Sequence, residues 1–76
     1  MVSGTQPNQL QFAVAAAIRQ ASHPQIRSVT CEYRDGQMQL RGRVASYYLK
    51  QLAQSIAGRE VREAVPIDNR LEVVPR

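Results

Sequence analysis

Residues Val29–Ser46 read VTCEYRDGQMQLRGRVAS, a β-hairpin written around Asp35-Gly36. A type I′ turn needs φ > 0 at both central residues, and Asp followed by Gly accepts that with little strain. Counting outward from a two-residue turn sets Arg34 opposite Gln37, Tyr33 opposite Met38, Glu32 opposite Gln39, Cys31 opposite Leu40 and Thr30 opposite Arg41. Val29 then meets Gly42, and Ser28 meets Arg43. Side chains alternate between the faces of a strand, so the apolar pairs share one face and the polar pairs the other. A three-residue loop would set Tyr33 against Gln37 and mix the faces; the pattern selects its own register.

The segments on either side carry helical spacing. Residues 1–8 are polar, include Gly4 and Pro7, and form a loose lead-in to a single domain over 9–76. Thr5 or Asn8 suits the cap of the first helix, and Pro7 its first turn. Leu10, Ala13, Val14, Ala17, Ile18 and Ala21 make the inner stripe, with Gln9, Gln11, Arg19 and Gln20 on the far side. Phe12 falls off this stripe and is expected as a lid at the edge of the core rather than as an exposed aromatic. Ser22-His23-Pro24 ends the helix, because the residue before a proline is pushed out of the α region. Gln25–Ser28 bridges to the hairpin with Ile26 turned inward.

After the hairpin, Ser46 caps a second amphipathic helix over Tyr47–Ala64. Its inner stripe is Leu49, Leu52, Ala53, Ile56, Ala57, Val61 and Ala64; Lys50, Gln51, Gln54, Arg59, Arg62 and Glu63 face out. Gly58 is its weak point, costing about 1 kcal/mol relative to Ala, and Pro66 enforces the stop. Ile67–Val74 alternates again, with Ile67, Asn69, Leu71 and Val73 on one face. With the second helix as crossover, this strand runs parallel to the second hairpin strand. The class is α+β in the order α-β-β-α-β, with two helices packed on one face of a small three-stranded mixed sheet. The uncovered face carries Glu32, Arg34, Arg41, Arg43, Asp68, Arg70 and Glu72.

At 76 residues the chain holds one domain whose apolar residues are needed to bury one another, which leaves little room for a deep enzymatic pocket. A single cysteine excludes an internal disulfide, and Cys31 is expected as a small buried hydrophobe. The apolar run Phe12–Ile18 is far short of the roughly 20 residues of a membrane span. No secretory signal is visible, so the expected compartment is the cytoplasm unless the chain is trimmed from a longer protein. The net charge is +4, and nine of the ten basic residues are Arg. That balance favours anionic partners, or serves solubility alone. His23 is the only histidine and Cys31 points inward, so neither a metal set nor a nucleophile–base pair can be assembled. No cofactor and no catalysis are expected.

The chain resembles the BON domain, a small bacterial module. The resemblance rests on Leu10…Val14…Ile18, on Asp35-Gly36-x-Met38-x-Leu40-x-Gly42-x-Val44-x-Ser46, on Ala53…Ile56-Ala57, and on Asn69-x-Leu71-x-Val73. It makes Asp35, Gly36, Gly42 and Asn69 structural hallmarks, and the expected reason for Gly42 is the close approach of a helix. One departure is Glu63-Ala64-Val65-Pro66, where the family usually has a Gly-Val pair. The resemblance implies a non-enzymatic module that attaches to phospholipid membrane surfaces or to envelope proteins. On that reading Arg41, Arg43 and Lys50 supply charge, and Tyr47 and Tyr48 sit at head-group depth. The alternative for these residues is that one tyrosine completes the core and the arginines pair with Glu32, Asp68 and Glu72 across the sheet. Two other functions compete: a protein partner held through an open sheet edge, and nucleic acid on the Arg-rich face. The last is disfavoured by the absence of a GXXG loop and of aromatics that could stack bases. Oligomeric state and strand order are not determined by the sequence.

Overall fold

The computed structural model describes residues 7–62 and 64–75, with side chains from residue 9 onward. The elements run α1 (Pro7–Arg19), α2 (Pro24–Arg27), β1 (Thr30–Arg34), β2 (Gln37–Arg41), β3 (Arg43–Val44), α3 (Tyr47–Val61), β4 (Ile67–Asn69) and β5 (Glu72–Val73). Pro7 and Asn8 are already helical, so Asn8 lies inside α1 and is not its cap; Thr5, the other expected cap, lies outside the described residues.

The hairpin forms as its turn chemistry dictates. Asp35 and Gly36 both have positive φ, 54° and 77°, and the ladder pairs Thr30 with Arg41, Cys31 with Leu40, Glu32 with Gln39, Tyr33 with Met38 and Arg34 with Gln37. β2 is the central strand, antiparallel to β1 and parallel to β4. Two of the three strands are interrupted. Gly42 separates β2 from β3, and Arg70-Leu71 separates β4 from β5, yet Met38 faces Ile67 and Arg43 faces Glu72 in one unbroken register. Backbone bonds from Arg70 N to Leu40 O and from Glu72 N to Gly42 O carry the ladder across the gap.

Gly42 has another purpose than the one expected of it. Among the described residues, the three atoms nearest a Cβ there belong to Leu71 and Val29, and none to a helix. Its φ is +142°, and a Cβ there would lie 3.4 Å from Leu71 Cδ2 and 3.5 Å from Val29 Cα. The glycine is required by the backbone bend where the strand changes direction, between the ends of its two neighbours.

α1 and α3 cover one face of the sheet, and the core between the layers is Val14, Ile18, Ile26, Met38, Leu40, Val44, Ala53, Ala57, Val61 and Leu71, each at most 2% exposed. Two expectations about α1 are corrected. Phe12 is 74% exposed and is no lid: at ~100° per residue it lies on the opposite side of the helix from Leu10, Val14 and Ile18. Gln11, expected to face solvent, reaches sideways to the sheet, where its Oε1 accepts from Tyr33 N at 2.8 Å. The bridge after α1 is a helical turn with Pro24 at its start, and Ile26 is wholly buried.

α3 is capped by Ser46, whose hydroxyl accepts from Leu49 N at 3.2 Å. It ends at Val61, three residues short of the expected Ala64, which is exposed. Val73 is likewise more open than its place in the alternation implied, because it lies at the sheet's outer edge. The chain leaves α3 through Arg62 at φ 54°, ψ −118°, bonded to Gly58 O at 2.7 Å. That conformation is strained for a residue with a Cβ, by roughly 1–3 kcal/mol. Arg62→Gly is expected to stabilise the domain by about 1 kcal/mol after the added freedom of the unfolded glycine, raising the melting temperature by roughly 4–8 °C. A thermal melt that shows no rise would refute the strain.

Candidate functional site

The five candidate residues fall on two layers. Arg41 and Arg43 belong to the uncovered sheet face; Tyr47, Tyr48 and Lys50 belong to the first turn of α3. The corner joining the layers is held by Gln25, whose Oε1 accepts from Ala45 N at 2.7 Å, so α2 fixes the direction in which α3 departs.

On the sheet face the arginines are largely neutralised. Arg34 pairs with Glu32 at 3.0 Å, Arg70 with Asp68 at 2.7 Å, and Arg43 with Glu72 at 3.6 Å. Of the pairings across the sheet expected as the alternative role for Arg41 and Arg43, only Arg43 with Glu72 forms; the other two join neighbours on one strand, and all three, being exposed, contribute little. Arg41 lies back along its own strand and donates Nη2–H to Gln39 Oε1 at 3.3 Å. Gln39 is 4% exposed although it belongs to the polar face. It sits on the central strand between Glu32 and Asp68, and its long neighbours roof it over. Among the described residues the exposed aromatics are on α1 and α3 and none is on this face, so it offers no platform for stacked bases.

The helical layer differs. Tyr47 and Tyr48 are 63% and 64% exposed, so neither completes the core. Tyr48 meets the ring of His23 edge to face, with centroids 6.3 Å apart. Beyond His23 an open groove of about 490 Å³ runs between α1 and α3, lined by Ala17, Gln20, Leu52, Ile56, Arg59 and Glu60 among others. Lys50 is half-buried on the other flank, where its carbonyl accepts from Asn69 Nδ2 at 3.0 Å. Arg19, Arg27 and Arg59 stand in the last turns of α1, α2 and α3, where a cation is favoured by the helix dipole.

Asn69, the most distant hallmark in sequence, is a clamp. Its Nδ2 donates to Lys50 O and to Gln54 Oε1 (3.1 Å), and its Oδ1 accepts from Leu71 N (3.1 Å). One amide thus ties β4 to α3 and satisfies the N–H freed where β4 is interrupted. A hydrophobic residue would fit the inward alternation but could do neither.

Cys31 is half-buried against the core, and its Sγ donates to Gln11 O at 3.6 Å. Burial pushes its thiol pKa up, with Arg19 opposing, so thiolate chemistry is suppressed. Among the described residues no group of three metal-ligating side chains gathers, and no helix is long and apolar enough to cross a membrane. Exposed aromatics thus stand beside cations on one layer, and matched charges on the other. Residues 2–75 match the family model of the BON domain. No curated protein matches the chain.

Proposed function

The chain belongs to the BON domain family, whose members are generally non-enzymatic, and we propose that it is an attachment module that docks its helical layer on anionic phospholipid surfaces. The observation that carries this reading is the pair Tyr47–Tyr48, adjacent in sequence and each nearly two-thirds exposed at the first turn of α3. Tyrosine rings have an apolar body and a polar tip, which favours the head-group boundary. Lys50 in the same turn and Arg59 farther along α3 supply charge on that layer. The sheet-face arginines contribute less, because three of them already face carboxylates.

The test is co-sedimentation with vesicles rich in phosphatidylserine or cardiolipin, against vesicles of phosphatidylcholine alone. Binding is expected only to the anionic vesicles and is expected to fall as salt rises. Each basic residue near such a surface is worth about 1 kcal/mol, so Lys50→Ala should weaken partitioning roughly fivefold. The double variant Tyr47→Ala/Tyr48→Ala should weaken it further while melting as the parent does. Equal binding to both vesicle types, or unchanged binding by the tyrosine variant, would reject the proposal.

A further inference from the structure

Charge is divided unevenly between the two layers. The sheet and its turns carry four arginines and four carboxylates, and three ion pairs match most of them off. Among the described residues of the helical side, Arg19, Arg27, Lys50, Arg59 and Arg62 stand against Glu60 alone, and no ion pair joins any of them. The excess positive charge therefore resides on the side of the molecule that carries the tyrosines.

We infer that His23 extends the docking surface from Tyr48 to the corner between α1 and α2, and that its protonation strengthens docking on anionic lipid. This rests on the membrane reading of Tyr47 and Tyr48 and adds its dependence on pH. His23 is exposed, and its ring meets that of Tyr48 edge to face at 6.3 Å. Arg27 folds back over the same corner, where its Nη1–H donates to Ala21 O at 3.0 Å. The other charged groups around His23 are Arg19 in the last turn of α1, and Arg59 and Glu60, which line the groove with it from α3.

Nothing on this side of the molecule answers a second cation. No Asp or Glu precedes Glu32 in the sequence. Glu60 stands about 18 Å beyond Tyr48 along the axis of α3 and forms no ion pair with His23. Both ring nitrogens of a protonated imidazole are donors, and among the described residues neither has an acceptor, which leaves them for a lipid phosphate. Histidine is the side chain whose charge ordinarily changes between pH 5 and 8, and the chain has one. Acid therefore adds a cation beside the ring that sits at head-group depth.

The test is partitioning of the full chain to vesicles of equal parts phosphatidylglycerol and phosphatidylcholine, at about pH 5.5 and about pH 7.5. Phosphatidylglycerol keeps its charge across that range, so a change in affinity reports the protein. Binding should be roughly fivefold tighter at the lower pH, the effect of one basic residue near an anionic surface. His23→Gln should bind at both pH values as the parent does at the higher one. His23→Lys should bind at both as the parent does at the lower one. Amide spectra at both pH values establish that each variant is folded. A parent that binds these vesicles equally at both pH values overturns the role of His23 and leaves the membrane reading standing. So does a His23→Gln variant that keeps the parent's pH dependence, or a His23→Lys variant no tighter than the parent at the higher pH. A parent that binds at neither pH overturns both.

Discussion

Ile26→Ala is expected to lower the stability of the domain by about 3 kcal/mol, a fall of roughly 10–25 °C in melting temperature. The side chain is wholly buried in a helical turn of four residues, Pro24–Arg27, too short to hold itself together. Backbone bonds to His23 O (3.0 Å) and from Val29 N (2.9 Å) tie the turn to its neighbours. Gln25 beside it anchors the corner from which α3 departs. Removing the isoleucine leaves a cavity where both helices and the sheet converge, and the surroundings cannot collapse without moving that corner. The loss is large for a chain of this length, whose total stability is of the order of 4–11 kcal/mol. Phe12→Ala is the matching control: it removes a larger side chain, but one that is 74% exposed, and is expected within about 0.5 kcal/mol of the parent. Thermal or denaturant melts of the two variants decide the matter. If Ile26→Ala melts within a few degrees of the parent, or Phe12→Ala falls as far as it does, the core has been wrongly assigned.

Gly42→Ala is expected to destabilise by roughly 1–3 kcal/mol, for a different reason. At φ +142° the backbone is in a region that L side chains rarely adopt, so the strain arises whatever room is available. The added carbon also meets Leu71 Cδ2 at 3.4 Å. Leu71 is 2% exposed, so the neighbour that must yield is itself packed. Gly36→Ala separates the two causes. Gly36 has φ +77° with no atom within 4 Å of a Cβ, so only the roughly 1–2 kcal/mol of left-handed strain applies there. Chemical denaturation should rank Gly42→Ala below Gly36→Ala, with both below the parent. A Gly42→Ala variant as stable as the parent would mean that the bend relaxes, and that the glycine is held for another purpose.

Phe12, Gln11 and Gln39 mark where sequence reading ended. Position alone sets Gln11 and Gln39 outside and leaves Phe12 as a lid, and the actual place of each depends on a neighbour distant in the chain. Phe12 lies outside because the sheet meets α1 on the stripe of Leu10, Val14 and Ile18 alone. Gln11 is drawn to the sheet edge by an N–H that β2 cannot satisfy. Gln39 is buried by side chains from strands on both sides. The candidate site follows the same rule. The exposure of Tyr47 and Tyr48 depends on how the β3–α3 corner is set, and the neutralisation of Arg43 depends on Glu72, which is 29 positions along the register.

By itself the amino-acid sequence determined what consecutive residues can specify. Asp35-Gly36 set the turn and with it the register, the periods of two and of 3.6 set strand and helix, and the crossover set β4 parallel to β2. Tertiary structure alone decided why Gly42 must be glycine, why Asn69 must be an amide, and where α3 stops. Turn angles and periodicities act within a few residues and repeat along the chain. A clamp such as Asn69 to Lys50 joins groups 19 positions apart and exists only once the layers have packed.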